Sequence, residues 1–471
     1  MNMQKLDTEG AFKEIFEESI IETEPSQKMI QEDNVIVGLD VGATKVVCIV
    51  GKKTKEGRIK VLGYGESASE GVKLGTITDM ADAIESVSAA VEQASKRSGM
   101  EIRRVTLGVT GRHLRYYRHI GVQMRKNPDD EIVDAELEKF RNDTFKGITP
   151  PGEQVIDVIR QEYILDGNFV ENPIGMIGSK LQTDFRIAIG RSSSLTNLIK
   201  CVENVGLEVE RIILSPIASS QVVLTEEEKN KGVVLVDMGG DTTDLAIFKK
   251  NKIQHTAVIP FGGNIITEDI YTGCSITTHY AEEVKVKYGS ALASENRDDE
   301  VISIPGVQGL APKEISFRNL AHIIQIRLEE IFELVLQEIQ NVCAREQVAS
   351  IVLTGGGALM KYIQQLAEFK TGLDVRIGYP NEQLFQTVND FTNPKYATSI
   401  GLVIEGFQRK ELEGKKKQDS KEENQVESSN TQNNTKEIEE TRTITNQDVD
   451  ESNLLRTDSK LKGWFKKIVR K

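Results

Sequence analysis

Val233-Val234-Leu235-Val236-Asp237-Met238-Gly239-Gly240-Asp241-Thr242-Thr243 is the stretch on which the fold turns. Four apolar residues run into Asp-x-Gly, and the chain re-enters an apolar run at Leu245 to Phe248 with no room for a helix between. That pattern predicts two buried strands joined by a tight turn. Such a turn presents backbone N–H groups, a concavity that binds phosphate oxygens, and its glycines let the backbone come close. The same order occurs earlier. An apolar strand runs into Asp40-Val41-Gly42-Ala43-Thr44-Lys45, followed by a second strand, a charged turn from Lys52 to Arg58, a third strand and Gly63-Tyr64-Gly65. In the later copy the turn Lys249 to Lys252, a further strand and Gly262-Gly263 take those places. Asp40 to Gly65 and Asp237 to Gly262 both span 25 residues, so the sequence predicts two lobes of one hairpin topology facing across a cleft. A lone Asp-x-Gly ends many ordinary β-turns; the pair at equal spacing carries the reading.

Two such turns would clamp one polyphosphate from both sides. The Thr44 hydroxyl and Lys45 ammonium add donors, and Asp40 and Asp237 suit a magnesium ion held through water. A third element, Ile351-Val352-Leu353-Thr354-Gly355-Gly356-Gly357-Ala358, leads into the helical pattern Leu359, Ile363, Leu366. Its glycines let the chain pass close to a flat ring or a ribose. Taken alone it reads equally well as a tight strand-to-helix turn.

The chain has 471 residues, enough for about three compact units. Its net charge is −13, yet residues 460–471 carry six basic side chains and no acidic one. So acidic a body is a poor partner for nucleic-acid phosphates, and no nucleic-acid partner is expected. Cys48, Cys201, Cys274 and Cys343 form no CxxC pair, and the histidines are scattered, which argues against zinc and against a disulfide framework. The acidic N-terminus lacks signal-peptide features, and no stretch approaches 18 apolar residues.

From 34 to about 409, β-branched runs alternate with 3.6-period segments, an α/β pattern. Residues 1–33 read as an extension, disordered or a frayed helix. Between 410 and 459 aliphatics nearly vanish, so this stretch reads as a disordered linker spanning roughly 35–40 Å. At the end Leu461, Trp464, Phe465, Ile468 and Val469 form one helical stripe, and Lys460, Lys462, Lys466, Lys467, Arg470 and Lys471 the opposite face. This amphipathic pattern matches a helix lying in the interface of an anionic membrane. The competing reading is a helix that docks on a protein groove.

The trio of Asp-x-Gly, Asp-x-Gly-Gly-x-Thr-Thr and Gly-Gly-Gly resembles the actin, sugar-kinase and heat-shock-chaperone ATPase superfamily. Within it, residues 34–408 resemble the FtsA family of bacterial cell-division proteins. The phrases that carry this are Gln161 to Asp166, Asn172 to Met176, Ser215 to Ser220, Val258 to Asn264, Ala281 to Lys285 and Val375 to Gly378. The resemblance implies a two-lobed actin-like fold with duplicated five-stranded sheets, an inserted subdomain, and ATP with magnesium as cofactors. It puts Gly42, Ala43, Thr44 and Lys45 on the first phosphate loop and Gly239, Gly240, Asp241, Thr242 and Thr243 on the second. Gly355, Gly356, Gly357 and Ala358 fall on the adenosine loop, with Gly263, Glu282 and Lys285 beside the nucleotide. Glu282 and Lys285 share a helix face at i, i+3, which on its own also fits a solvated ion pair. Asp40 and Asp237 match the magnesium-side acids, and no residue is assigned as the hydrolytic base. There is one departure: Asp241 stands where the family pattern usually has glycine, setting a carboxylate beside phosphates.

The implied organisation is a first lobe from 34–113, 191–218 and 396–409, an FtsA-type insert at 114–190, and a second lobe from 219–257 and 317–395. Within the insert, a helix from about Asp134 to Lys146 and strands Gln154 to Leu165 and Asp184 to Ile189 are expected. Residues 258–316 are the implied subdomain for the C-terminal peptide of FtsZ, the tubulin-like ring protein. The implied function is an ATP-binding adaptor, at most a weak ATPase, that tethers the FtsZ ring to the membrane. Self-association into filaments, recruitment of later division proteins and a peripheral position on the cytoplasmic face at the septum follow from the same resemblance. The alternatives are a small-molecule kinase of the superfamily, which would need a positioned base and an acceptor pocket, and a pilus-assembly actin-like adaptor.

Overall fold

The computed structural model describes residues 29–30, 32, 34–145, 149–305, 311–342, 348–386 and 391–414. The body ends at Phe407. The N-terminal extension up to residue 28, most of the 410–459 linker and the 460–471 helix lie outside the described residues.

In the first lobe β1 (Val35–Val41), β2 (Lys45–Lys53) and β3 (Ile59–Ala68) form an antiparallel meander. A small hairpin follows, Val72–Lys73 with Thr76–Ile77. Helix α1 (Met80–Ser98) then starts at Asp79, whose side chain accepts from the amides of Ala81 and Asp82, and stops at left-handed Gly99. Strands β4 (Arg104–Val109) and, beyond the insert, β8 (Glu208–Leu214) join the meander in parallel. The sheet order is β8-β4-β1-β2-β3.

The insert is a four-stranded antiparallel sheet of β5 (Leu114–Met124), β6 (Glu153–Leu165), Asn168–Val170 and β7 (Lys180–Arg191), with α2 (Asp134–Phe145) on one face. Strand β7 begins four residues before the alternation from Asp184 to Ile189 predicts. All of β7 but its last residue pairs with β5, from Lys180 opposite Met124 to Gly190 opposite Leu114. Arg125 fixes the helix to the sheet: its guanidinium is buried, donates to both oxygens of Glu136 at 2.9 and 3.0 Å, and reaches the Gly178 carbonyl at 2.9 Å.

Helix α3 (Ser192–Asn204) and β8 return the chain to the first lobe, and α4 (Ser215–Val223) carries it to the second. There β9 (Val233–Met238), β10 (Thr243–Lys249) and β11 (Lys252–Ile259) repeat the meander. Helices α5 (Gly263–Cys274) and α6 (Thr278–Tyr288), a two-stranded ribbon and the 26-residue α7 (Phe317–Val342) precede β12 (Ser350–Thr354), α8 (Ile363–Thr371) and β13 (Asp374–Ile377). The order β13-β12-β9-β10-β11 matches β8-β4-β1-β2-β3 strand for strand. To these five-strand sheets the first lobe adds a sixth, two-residue strand, Phe385–Gln386, parallel to β3.

Up to Asp40 and Asp237 both central strands carry no polar side chain, because both faces are covered. Val35, Val37 and Leu39 of β1 face the core under α1 and α3, while Ile36 faces the opposite side. In β9, Val234 and Val236 face the core under α7, while Val233 and Leu235 face the middle of the body. That middle core joins the two sheets to a last helix, α9 (397–407), through Ile400, Val403, Ile404 and Phe407.

Three local findings depart from the sequence reading. Met29–Ile30 pair with Met100–Glu101, a ladder too short to leave a periodic signal. Residues 408–414, the described part of a second unit, are helical, so helix enters the stretch whose composition predicts a linker from 410. Gly65 and Gly262 also differ in role despite equal spacing. Gly65 sits inside β3 against α1, where a side chain would overlap the Ala90 carbonyl, while Gly262 lies beyond β11 as the residue before α5.

Candidate functional site

The two Asp-x-Gly turns have one geometry. Gly42 N–H donates to the Lys45 carbonyl at 3.0 Å, and Gly239 N–H to the Thr242 carbonyl at 2.9 Å, the same three-residue offset closing each loop. At Gly42 a Cβ would come within 2.9 Å of that Lys45 oxygen, so the tight loop needs glycine. The turns meet where Gly240 lies against Thr44, leaving no room for a Cβ between them. Gly239 and Gly240 carbonyls accept from the amides of Gly263 and Asn264 at 2.9 and 2.7 Å, which seats the start of α5 on the second turn.

Between the turns is a cavity of about 500 Å³. Its wall includes Asp40, Gly42, Ala43, Thr44, Lys45, Asp237, Gly239, Gly240, Asp241, Thr242, Gly263, Glu282, Lys285 and Gly355 to Gly357. Thr243 and Ala358, expected at the nucleotide, lie outside that wall. Thr243 is fully buried and donates to the Phe261 carbonyl at 2.8 Å, because strand alternation turns it away from the cleft. Ala358 is buried in the core of the second lobe.

Three acids line the floor. Asp237 accepts from Thr398 at 2.9 Å and Asp40 from Ser399 at 3.2 Å, both donors arriving from the start of α9. Burial pushes Asp40 up to about 6, with Lys45 pulling it down and Asp237 pushing it further up. Burial likewise raises Asp237. Asp244, on β10, accepts from Thr110 of the first lobe, and burial pushes it up to about 8. The Lys45 ammonium is lowered by burial and held against this by Asp40; it donates to the Lys395 carbonyl and lies 5.2 Å from the Tyr396 ring centre.

Lys285 is buried, with its three donors committed: to the Gly263 carbonyl at 2.8 Å, to Thr267 Oγ1 at 2.7 Å and to Glu282 at 2.6 Å. Half-exposed Glu282 is therefore the member of the pair that faces open cavity. Gly355 has φ +82°, and a Cβ there would stand 2.5 Å from Asp237 Oδ1. The third glycine loop thus rests directly on the second turn. It continues as one turn of 3-10 helix, Gly356–Leu359, and α8 starts only at Ile363, after left-handed Tyr362. Leu359 is half-exposed rather than part of that helix's buried face.

Sequence reading did not single out Gly75, Thr110, Asp244, Asn264, Lys395 or Thr398, all of which line the cavity. Asp244 stands one residue past the quoted motif and Asn264 ends the quoted phrase from Val258, so both could have been found there; the others carry no local signal. The membrane-face residues Leu461, Lys462, Trp464, Phe465, Lys466, Lys467, Ile468, Val469 and Arg470 lie outside the described residues.

Residues 234–401 match the sequence family described as cell division protein FtsA, and residues 111–189 match the SHS2 domain inserted in FtsA. The FtsA of Neisseria meningitidis serogroup B is 37% identical over 379 residues, 80% of this chain and 91% of that protein. The FtsA of Pseudomonas aeruginosa is 36% identical over 382 residues, 81% and 91% of the two chains, and that of Bacillus subtilis 31% identical over 389 residues, 82% and 87%. Among solved structures, a chain of the PilM-PilN type IV pilus biogenesis complex superposes with a TM-score of 0.56 at 15% identity, over 79% of this chain and 98% of that one, a likeness of fold. The duplicated lobes, the SHS2 insert and identities of this size over four-fifths of the sequence lead to one assignment: the chain belongs to the FtsA family of actin-like cell-division proteins.

Proposed function

We propose that this chain binds ATP with magnesium between its lobes and acts as an adaptor that tethers the FtsZ ring to the cytoplasmic face of the cell membrane at the septum. The observation that carries the nucleotide part is the pair of identical glycine turns meeting over one cavity. Among the described residues the amides of Ala43, Thr44, Gly240 and Asp241 donate to no protein carbonyl, which leaves them for phosphate oxygens. Asp40 and Asp237 would hold the magnesium ion, whose positive charge would neutralise phosphate charge. Buried Asp237 raises the proton affinity of the part-buried Asp40 beside it, and such a pair of carboxylates is an oxygen donor set that a hydrated divalent cation fits. Glu282 and the glycine loop at Gly355 would flank the ribose and base.

ATP acts here mainly as a conformational ligand. A filament that prefers the closed cleft binds ATP more tightly by linkage, and hydrolysis is at most weak. The insert would contribute to self-association and to contacts with later division proteins, and residues 258–316 would receive the FtsZ C-terminal peptide. No helix among the described residues is long and apolar enough to cross a membrane. Attachment is assigned instead to the basic amphipathic segment 460–471, as a peripheral contact with anionic lipid.

Trp464 is the sole tryptophan, so its emission reports on that segment. The full chain is titrated with anionic vesicles, with and without magnesium-ATP. A blue shift with co-sedimentation, lost on deleting 460–471 and strengthened by ATP, is the expected result. An unshifted emission would remove the membrane adaptor.

A further inference from the structure

Asp241 does more than stand near the phosphate turns. Its Oδ2 accepts from the backbone N–H of Leu74 at 2.7 Å, and its Oδ1 from Asn264 Nδ2 at 2.8 Å. Leu74 belongs to the small hairpin of the first lobe, so this carboxylate spans the cleft. The hairpin is shaped for the contact: Gly71, Leu74 and Gly75 all have left-handed φ, and for Leu74 that conformation is held by its surroundings. Gly75 packs on the Thr110 carbonyl, and Thr110 in turn donates to Asp244. Among the described residues no Lys or Arg pairs with Asp241, and Lys45 is turned to the Lys395 carbonyl. The charge of Asp241 therefore has no cationic side chain paired with it among the described residues, one residue from the point where Gly240 touches Thr44.

We propose that Asp241 is the specificity-determining residue that sets the balance between nucleoside diphosphate and triphosphate in this cleft, by charge rather than by its hold on the hairpin. The inference rests on the nucleotide reading above. A polyphosphate lying between the turns meets a fixed negative charge, and the triphosphate brings more charge to it than the diphosphate does. Like charges in a partly desolvated cleft repel strongly. Asp241 thus weakens ATP more than ADP and keeps the lobes joined through Leu74 whichever nucleotide is present.

Two variants of the full chain separate charge from clasp. D241N removes the charge but keeps an oxygen for the Leu74 amide, and D241G removes both. Calorimetric titration with magnesium-ATP and magnesium-ADP gives the affinity ratio, and hydrogen exchange of residues 72–77 reports the clasp. In D241N the ratio is expected to move about tenfold toward ATP with exchange at 72–77 near that of the unaltered chain, and in D241G the same shift comes with faster exchange. A tenfold change corresponds to 1.4 kcal/mol, well within the repulsion of one nearby charge. A ratio unchanged in both variants overturns the inference, as does a shift confined to D241G, which would assign the effect to the clasp. If the unaltered chain binds neither nucleotide, the nucleotide reading falls and the inference with it.

Discussion

Gly262 lies so close to Gly240 that a Cβ added to it would stand 2.5 Å from the Gly240 carbonyl oxygen and 2.7 Å from that of Gly239. The residue before α5 is thereby pressed onto the back of the second Asp-x-Gly turn, whose carbonyls are already taken by the first amides of α5. Because the obstacle is backbone, a side chain at 262 has to displace the turn itself. G262A is expected to cost about 1–3 kcal/mol of stability through overpacking and to weaken ATP binding as well as lower the thermal midpoint. Calorimetric titration beside a melting curve checks this; ATP affinity unchanged from the unaltered chain would mean that the turn's position does not matter to the ligand.

Asp244 makes stability depend on pH with a definite sign. Burial raises it from 3.8 to about 8, so between those values the folded protein keeps a proton that the unfolded chain has released. Stability is therefore lost as pH rises through that window. D244N, whose amide can still take the Thr110 hydroxyl, should melt higher than the unaltered chain at pH 8 and equally near pH 4. Asp40, raised to about 6, should leave a residual decline between 3.8 and 6 in the variant. Melting curves at pH 4, 6 and 8 suffice, and parallel profiles for the two proteins would contradict the assignment.

In the insert, Arg125 and Glu136 are unequal partners. The arginine side chain is 3% exposed and the glutamate 22%. Removing the glutamate strands a buried cation, a loss of about 3–5 kcal/mol, so E136A should destabilise more than R125A. Chemical denaturation, with hydrogen exchange over 115–190 to localise the loss, reads the difference. The reverse order would show that Glu136 is the more desolvated member.

Lys285 on α6 ties Gly263 and Thr267 of α5 to Glu282 of its own helix. K285A leaves those acceptors without their donor, at a cost of about 1–3 kcal/mol. Because the cluster is assigned to the ribose and base side, affinity for adenosine and for ATP should fall by similar factors in binding titrations. A loss confined to ATP would move Lys285 to the phosphates.

The two turns were legible because everything that makes them is local: an apolar run, an acid, a glycine, and a second run close behind. Thr398 reaches Asp237 across 161 positions and Ser399 reaches Asp40 across 359, and no pattern near either acid announces them. The same holds for Thr110 and Asp244, which only the meeting of the lobes brings together. Phe385–Gln386 is too short a strand for alternation to register. Equal spacing from Asp to Gly in the two copies correctly signalled the repeat, but it equated Gly65 with Gly262, which serve a strand interior and a helix start. Asp241 was readable as a charge beside phosphates; its bond to Leu74 depends on a hairpin distant in sequence.

At the base of the body, Gly401 of α9 packs on α4 so closely that a side chain there would overlap the Ala218 backbone, and Gly38 of β1 bears on the Ser399 carbonyl from the other side. These glycines let two helices and a strand approach backbone to backbone. A side chain added at Gly401 or Gly38 would therefore displace the first turn of α9 and draw Thr398 and Ser399 away from Asp237 and Asp40.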